Sequence, residues 1–230
     1  ISDAAISAAD LKAINVGTLG TAANGVQATN VTSITGSLAD LQHSFTGEAQ
    51  DPKEITGGIT SAAVTITDIV ADAAALKTFT SANGAAAETT GAINVLSTSI
   101  SGAFTAVSEM LTVYGTGRFV GLDSADVTLT GGTAANVNTL AALTTGTITA
   151  TISDSLGDFI TGLTGNVLTD ALESHNLTLT VTDAQVNAGQ LKTLNASNTG
   201  TINLAAATSI AGSAADILEA FADTTGVTNL

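Results

Sequence analysis

The chain has 230 residues, a hydrophobic fraction of 44% and a formal net charge of −15 from 20 acidic and 5 basic residues. This much apolar surface excludes a disordered acidic tail, because its burial can offset the conformational entropy lost on folding. The few scattered cations exclude nucleic-acid binding, and the absence of cysteine excludes disulfides, thiol catalysis and cysteine-ligated metals.

A short signature recurs eight times along the chain: Ser or Thr, an aliphatic residue, usually a second Ser or Thr, then Asp or Gly. The steps range from 23 residues, between Gly131 and Asp154, to 34 residues, between Asp68 and Gly102. Self-similarity at this period is typical of a solenoid, in which each repeat buries its apolar face on the next. The copies end at Asp3, Gly36, Asp68, Gly102, Gly131, Asp154, Asp183 and Gly212.

Each signature predicts a half-buried β-strand, because aliphatic and hydroxylic residues alternate with a period of two. The aliphatic row is expected to point inward and the Ser/Thr row outward. If the alternation holds in register, the strands stack into one parallel sheet. The aliphatic row is Ile1, Ile34, Ile66, Ile100, Leu129, Ile152, Val181 and Ile210.

A helix is predicted after each strand. In one subtype a Leu-Lys pair lies eight residues beyond Asp3, Asp68 and Asp183, and Ala-rich stretches such as 4–9 and 69–75 fill the interval. In the second subtype a Ser follows Gly36, Asp154 or Gly212 directly. Asp or Ser at the strand end is expected to cap the helix that follows. Gly131-Gly132 is expected to form a turn before a helix at Thr133.

The fold prediction is therefore an α/β, right-handed solenoid of about eight strand–helix repeats, here called rungs, with one parallel β-sheet. Residues 1–230 form a single array, interpreted as a segment of a longer chain or a polymerising subunit. The polar stretch 42–58, which contains His43, Glu48, Asp51, Lys53 and Glu54, is predicted to be an inserted surface loop.

Two kinds of chemistry have simpler explanations. The strand-end aspartates suggest a calcium ladder, but Gly replaces Asp in several rungs, so helix capping is favoured. No cofactor is predicted, and calcium is the one alternative. Asp123 and Asp126 are interpreted as exposed loop residues. His43 and His175 are interpreted as solvated loop histidines. Without a Gly-x-Ser-x-Gly motif, the chain is predicted not to be an enzyme.

The outward hydroxyl row is the candidate binding surface. Ice-binding solenoids present a flat, regular grid of Thr, and Thr-x-Thr pairs occur here on successive predicted strands. The simpler explanation is that Thr is favoured on the wet face of a strand. The predicted ligand-facing ladder is Thr35, Thr67, Thr128, Thr130, Thr151, Thr180 and Thr182.

The stretches 177–184, 191–195 and 147–154, which read LTLTVTDA, LKTLN and TITATISD, resemble repeats in very large secreted surface proteins of cyanobacteria and other aquatic bacteria. That group includes adhesin-like proteins, often exported by type I secretion. The resemblance covers most of the chain but not 42–58. It implies an extracellular location and a non-enzymatic role.

The predicted function is a structural or adhesive element of a bacterial cell surface, acting as a spacer or as a filament- or layer-forming repeat. The expected partners are neighbouring repeats or further copies associating end to end, and a glycan or other surface ligand. Nucleic-acid binding and membrane insertion are not expected. The alternative is a ligand-binding solenoid whose Thr/Ser ladder contacts ice or glycan.

Overall fold

The computed structural model describes residues 1–17, 27–46, 59, 61–80, 92–114, 119–163, 175–198, 200–222 and 226–228. These residues form short strands followed by helices, so the predicted α/β class is confirmed. The chain divides into two compact units. Unit 1 comprises Ile1–Ser101 and Glu109–Ala125, and unit 2 comprises Gly102–Ser108 and Asp126–Leu230.

The described strands are all short. They are β1 (Ala5–Ser7), β2 (Ser33–Gly36), β3 (Ala63–Ile66), β4 (Val70–Asp72), β5 (Ile93–Val95), β6 (Ser99–Gly102), β7 (Phe119–Val120), β8 (Asp126–Leu129), β9 (Ile148–Asp154), β10 (Asn176–Val181), β11 (Gln185–Asn187), β12 (Ile202–Asn203), β13 (Ser209–Ala211) and β14 (Val227–Thr228). The helices are α1 (Ala8–Gly17), α2 (Leu38–Thr46), α3 (Ala73–Thr80), α4 (Phe104–Tyr114), α5 (Ala134–Ala141), α6 (Leu156–Leu163), α7 (Ala188–Ser197) and α8 (Ala214–Ala220).

Unit 1 contains a five-stranded parallel sheet in the order β1-β2-β3-β5-β7. One row of Cα partners crosses all five strands: Ile6, Ile34, Val64, Ile93 and Phe119. The last four are at most 1% exposed, so this row forms a dry core. A separate parallel pairing joins β4 to β6.

Unit 2 repeats this arrangement with β8-β9-β10-β12-β14, whose neighbouring strands are also parallel. Ile152, Leu179 and Ile202 are Cα partners across its centre, and each is fully buried. The pair β11–β13 lies in a different sheet. The expectation of one parallel sheet is therefore wrong, because strands within a unit belong to more than one sheet.

The prediction that a helix begins immediately after Asp3 and Asp68 is also wrong. Within 4–9 and 69–75 the chain first forms β1 and β4, and the helix starts only afterwards. The β4 strand pairs with the next signature strand, with Ala71 opposite Ile100. This pairing provides hydrogen-bond partners for backbone N–H and C=O groups of two neighbouring rungs, and this stabilisation outweighs the helix propensity of the alanines.

The register differs from the predicted one by two residues after Ile34 and after Ile152. After Asp3, Asp68 and Asp183 it differs by five, because Ile6, Ala71 and Val186 pair with Ile34, Ile100 and Ile210. Ile34 pairs with Val64 rather than Ile66, and Ile152 pairs with Leu179 rather than Val181. A slip of two leaves every side chain on its original face, because side chains alternate with a period of two. The aliphatic residues Ile34, Ile66, Ile152 and Val181 therefore stay buried although they do not form one row.

The helices of neighbouring rungs are joined by ion pairs. Lys12 Nζ lies 2.8 Å from Asp40 Oδ1, which links α1 to α2. Lys77 pairs with Glu109, and Lys192 pairs with acidic residues of α8. The lysine of each predicted Leu-Lys pair thus contacts the helix of the following rung.

The loop predicted at 42–58 is wrong in its first part. Helix α2 extends to Thr46, so 42–46 are helical, and Ser44 and Phe45 are buried. The ring of Phe45 packs edge-on against Phe79 of α3, with centroids 5.8 Å apart. Residues 47–58 lie outside the described residues.

Candidate binding surface and rung junctions

Unit 2 carries three polar rows on the strand faces that point away from the core. The first row is Thr128–Thr149–Asn176, with Thr149 as the Cα partner of both neighbours. Neighbours in a row are about 4.8 Å apart, and rows are about 6.6 Å apart along each strand. The second row is Thr151–Thr178, and the third is Ser153–Thr180–Asn203–Thr228. Together these residues form a regular grid of small hydrogen-bonding groups, here called the polar grid.

Among its described residues, unit 1 has a single comparable row. Thr35 has Ser7 and Thr65 as its Cα partners, and Thr65 is followed by Asn94. The row ends at Val120, which is 42% exposed. An apolar residue therefore interrupts the hydroxyl pattern in this unit.

Three of the predicted ladder residues fall outside these rows. Thr67, Thr130 and Thr182 each lie one position beyond their strands. Their backbone N–H groups donate to the carbonyls of Gly36, Gly102 and Asp154. All three side chains are exposed. They mark the ends of strands rather than a shared surface.

The four predicted residues within the rows are Thr35, Thr128, Thr151 and Thr180. The prediction missed their partners Thr65, Asn94, Asn176 and Asn203. Thr65 lies two residues before Thr67 within its signature, and Asn176 lies four residues before Thr180, so extending the alternation and allowing Asn in the outward row finds both. Asn94 and Asn203 lie on β5 and β12, which precede the signature strands β6 and β13, so the signature gives no signal for them.

The strand-end aspartates cap helices, but not the helices predicted. Asp68 Oδ2 accepts a hydrogen bond from the Leu38 backbone N–H at 2.6 Å, and Asp183 Oδ2 accepts one from Leu156 at 2.5 Å. Asp154 does the same for Ala134 at 3.4 Å. Each aspartate therefore satisfies the start of the preceding rung's helix.

The following helix has its own cap. In the rungs of Asp3, Asp68 and Asp183 a second short strand precedes the helix, and we call these delayed rungs. Their helices are capped by Ser7, Asp72 and Asn187. In direct rungs the helix follows its signature closely, and Ser37, Ser155 and Ser213 cap it as the sequence predicted.

Two glycines of the signature, Gly36 and Gly212, have a steric role at the same junction. A Cβ atom on Gly36 would lie 2.6 Å from Ala8 Cβ, and one on Gly212 would lie 2.7 Å from Ala188 Cβ. Both alanines begin the helix of a preceding delayed rung, which is already capped. The signature that comes after a direct rung therefore ends in Asp, and the signature that comes after a delayed rung ends in Gly. Gly131 is an exception, with a positive φ of 88° in the turn before α5.

Neither histidine is the solvated loop residue that was predicted. His175 is only 8% exposed, and its Nδ1 accepts a hydrogen bond from the Ile148 N–H at 3.2 Å. His43 lies in α2, and its Nε2 is buried without a hydrogen-bond partner among the described residues. The two histidines belong to different units.

Two ion-pair groups have shifted pKa values. The Lys12 ammonium, which donates a hydrogen bond to Asp40, lowers the pKa of that carboxyl, and the Ser37 hydroxyl adds to the effect. The hydrogen bond to Glu219 raises the pKa of Lys192. Both shifts favour the charged forms that join adjacent helices.

Over the part of the chain that the structure describes, no cluster of three or more His, Cys, Asp or Glu residues is arranged to hold a metal ion. Within the same residues, every helix is too short or too polar to cross a bilayer. The chain matches no protein-family model, no curated protein and no solved structure.

Proposed function

We propose that the chain is a non-enzymatic structural or adhesive repeat protein of a bacterial cell surface, built as a right-handed solenoid of about eight rungs. The observation that carries this proposal is the cross-rung junction. Strand pairing, the Asp68–Leu38 cap and the Lys12–Asp40 ion pair each join a rung to its neighbour. Such a scaffold suits a spacer or a filament- or layer-forming element.

The energetics of one rung support this role. The strand of a rung offers only a few aliphatic side chains, such as Ile34 in β2, and the neighbouring rung covers them. A single rung therefore buries too little surface to fold alone, and stability accumulates with the number of rungs. The net charge of −15 keeps this apolar array soluble outside the cell.

Cell-surface labelling tests the location. Antibodies raised against the purified chain are expected to label intact cells of the source organism, and trypsin treatment of intact cells is expected to remove the signal. Labelling only after cell lysis would contradict an extracellular role. Repeating the labelling after calcium chelation tests the one candidate cofactor, since a calcium-held protein is released into the medium.

A second function, binding of ice or glycan, is favoured by the polar grid of unit 2. Its rows place hydroxyl and amide groups at regular intervals on neighbouring parallel strands. Regular spacing allows many weak hydrogen bonds to form at once with a repetitive ligand.

Thermal hysteresis and glycan-array binding test this second function. Thr128→Tyr and Thr151→Tyr are expected to abolish the signal, because a ring on the grid blocks approach of a flat ligand. Thr105→Tyr, on the exposed surface of α4, is the matched control. An equal signal from all three variants would exclude the grid as a binding surface.

A further inference from the structure

We infer that the outer edge of β1, together with α1, is a docking face for another direct rung of the β2–α2 kind. This inference rests on the proposed repeat function and names the partner of one face. In the described residues β1 is the end strand of its sheet, with β2 on one side only. Beside it lies an open groove of about 550 Å³, lined by Asp3, Ile6, Ser7, Asp10 and Ile14 among others.

The first argument is the position of Asp3. It precedes the helix cap Ser7 by the same interval that separates Asp68 from Asp72. Asp68 accepts a hydrogen bond from Leu38 N–H at the start of the preceding direct rung's helix. Asp3 is exposed and lies on the groove, which places its carboxylate where a similar helix start would be capped.

The second argument is the position of Asp10. Asp10, Asp40 and Asp216 each accept a hydrogen bond from the hydroxyl of the capping serine at the start of their helix. Asp40 and Asp216 also pair with a lysine of the preceding helix, Lys12 and Lys192 respectively. Asp10 presents the same exposed carboxylate to the groove.

The third argument comes from a junction of the required kind within unit 1. Where direct rung β2–α2 precedes delayed rung β3–β4–α3, Gln42 Nε2 donates to the Ala75 carbonyl at 3.0 Å. Ala75 occupies in α3 the position that Asp10 occupies in α1. Lys12 lies as far beyond its capping serine as Gln42 does, and it reaches the Asp40 carboxylate at 2.8 Å. A side-chain donor at the position of Gln42 would therefore reach the Asp10 carboxylate, and a cation there would bind it more strongly.

The repeat itself supplies a test. In an extended chain, a copy of residues 1–65 is placed ahead of Ile1, so that Val64-Thr65 of the copy continue into Ile1-Ser2-Asp3. This junction reproduces the pattern Val64-Thr65-Ile66-Thr67-Asp68. In the extended chain, hydrogen exchange of the amides in the original β1 and α1 is expected to slow at least tenfold relative to the same amides in the 230-residue chain.

Two substitutions probe the named contacts in the extended chain. Asp3→Ala is expected to accelerate exchange at the start of the added α2 about fivefold, the size of a lost helix cap. Gln42→Lys in the added copy is expected to slow exchange in the original α1 further. Asp10→Asn in the original α1 is expected to remove that additional protection. In the 230-residue chain, Asp3→Ala is the control and is expected to leave exchange in α1 unchanged.

Three outcomes would overturn the inference. If the added rungs are protected but β1 and α1 exchange as before, the face does not dock a direct rung, while the repeat function stands. If the added rungs are themselves unprotected, the rungs do not propagate and the proposed function fails as well. If the 230-residue chain self-associates and Asp3→Ala abolishes that association, a second copy rather than an added rung occupies the face.

Discussion

Asp68 Oδ2 accepts a hydrogen bond from the backbone N–H of Leu38 at 2.6 Å, across 30 residues of sequence. The end of one strand therefore stabilises the start of a helix in the rung before it. Because Asp154 and Asp183 make the same contact, the cap is a repeated connection between rungs rather than a local turn.

Removing such a cap is expected to destabilise the chain measurably. Asp68→Ala and Asp183→Ala should each lower the free energy of unfolding by about 1 kcal/mol, because a helix N–H loses its acceptor. Urea unfolding followed by circular dichroism measures the change. Asp3→Ala, at the same repeat position but with no described helix before it, should be close to neutral. Equal losses at all three positions would contradict the cross-rung cap.

The close approach at Gly36 predicts a steric effect. Gly36→Ala places a Cβ atom 2.6 Å from Ala8 Cβ, and the strain should lower the free energy of unfolding by about 1–3 kcal/mol. Gly157→Ala in α6 is the control, since the nearest atom to its added Cβ is Ser155 Oγ at 3.7 Å. That variant should be neutral or slightly stabilising, because Ala is the better helix former. Ala8→Gly should restore part of the stability lost in Gly36→Ala.

The strand register can be tested by cross-linking, because the chain has no cysteine of its own. Thr35 and Thr65 are Cα partners, about 4.8 Å apart, which lies within the range that a disulfide spans. The Thr35→Cys/Thr65→Cys pair should oxidise rapidly. The Thr35→Cys/Thr67→Cys pair should oxidise slowly, and the reverse order would support the register expected from the signature alone. Quantifying free thiols over time gives both rates.

The Lys12–Asp40 ion pair predicts a pH dependence of stability. Lys12 lowers the pKa of Asp40, so the native state favours the ionised carboxylate. The resulting stabilisation is present above the unfolded-state pKa of about 3.9 and is lost as the pH falls through the lower native value. Asp40→Asn should therefore reduce stability near neutral pH and flatten its acid dependence. Melting temperatures measured between pH 2 and 7 check both effects, and an unchanged acid slope would contradict them.

The buried His175 predicts a polar requirement at the start of β10. Its Nδ1 accepts the N–H of Ile148, so His175→Phe leaves that donor without its partner at a cost of about 1–3 kcal/mol. His175→Asn, which keeps an acceptor near the same place, should cost less. Chemical denaturation of both variants gives the comparison, and a stable Phe variant would show that the contact is dispensable.

Much of the local structure follows from the sequence because alternation is a local property. The buried face of Ile34 or Ile152 is fixed by the period of two, whichever residues they pair with. The Ser37 and Ser213 caps are likewise set by neighbours three residues away. These features need no knowledge of the next rung.

Register and cap direction were mispredicted because they depend on contacts between rungs. Aligning signatures places Ile66 beside Ile34, but the structure places Val64 there and sets Asp68 over the start of α2. The strand at 70–72 escaped prediction for a similar reason. It lies within the Ala-rich stretch 69–75, which favours a helix locally, whereas its hydrogen-bonding partner lies in β6. No single-rung pattern contains that information.

The caps that join consecutive rungs span only 20 to 30 residues of sequence. Each therefore closes a loop of modest entropy, because the described helix start and its capping aspartate lie in consecutive rungs. A chain emerging end-first through a narrow channel could consolidate its leading rungs while the remainder was still unfolded behind them.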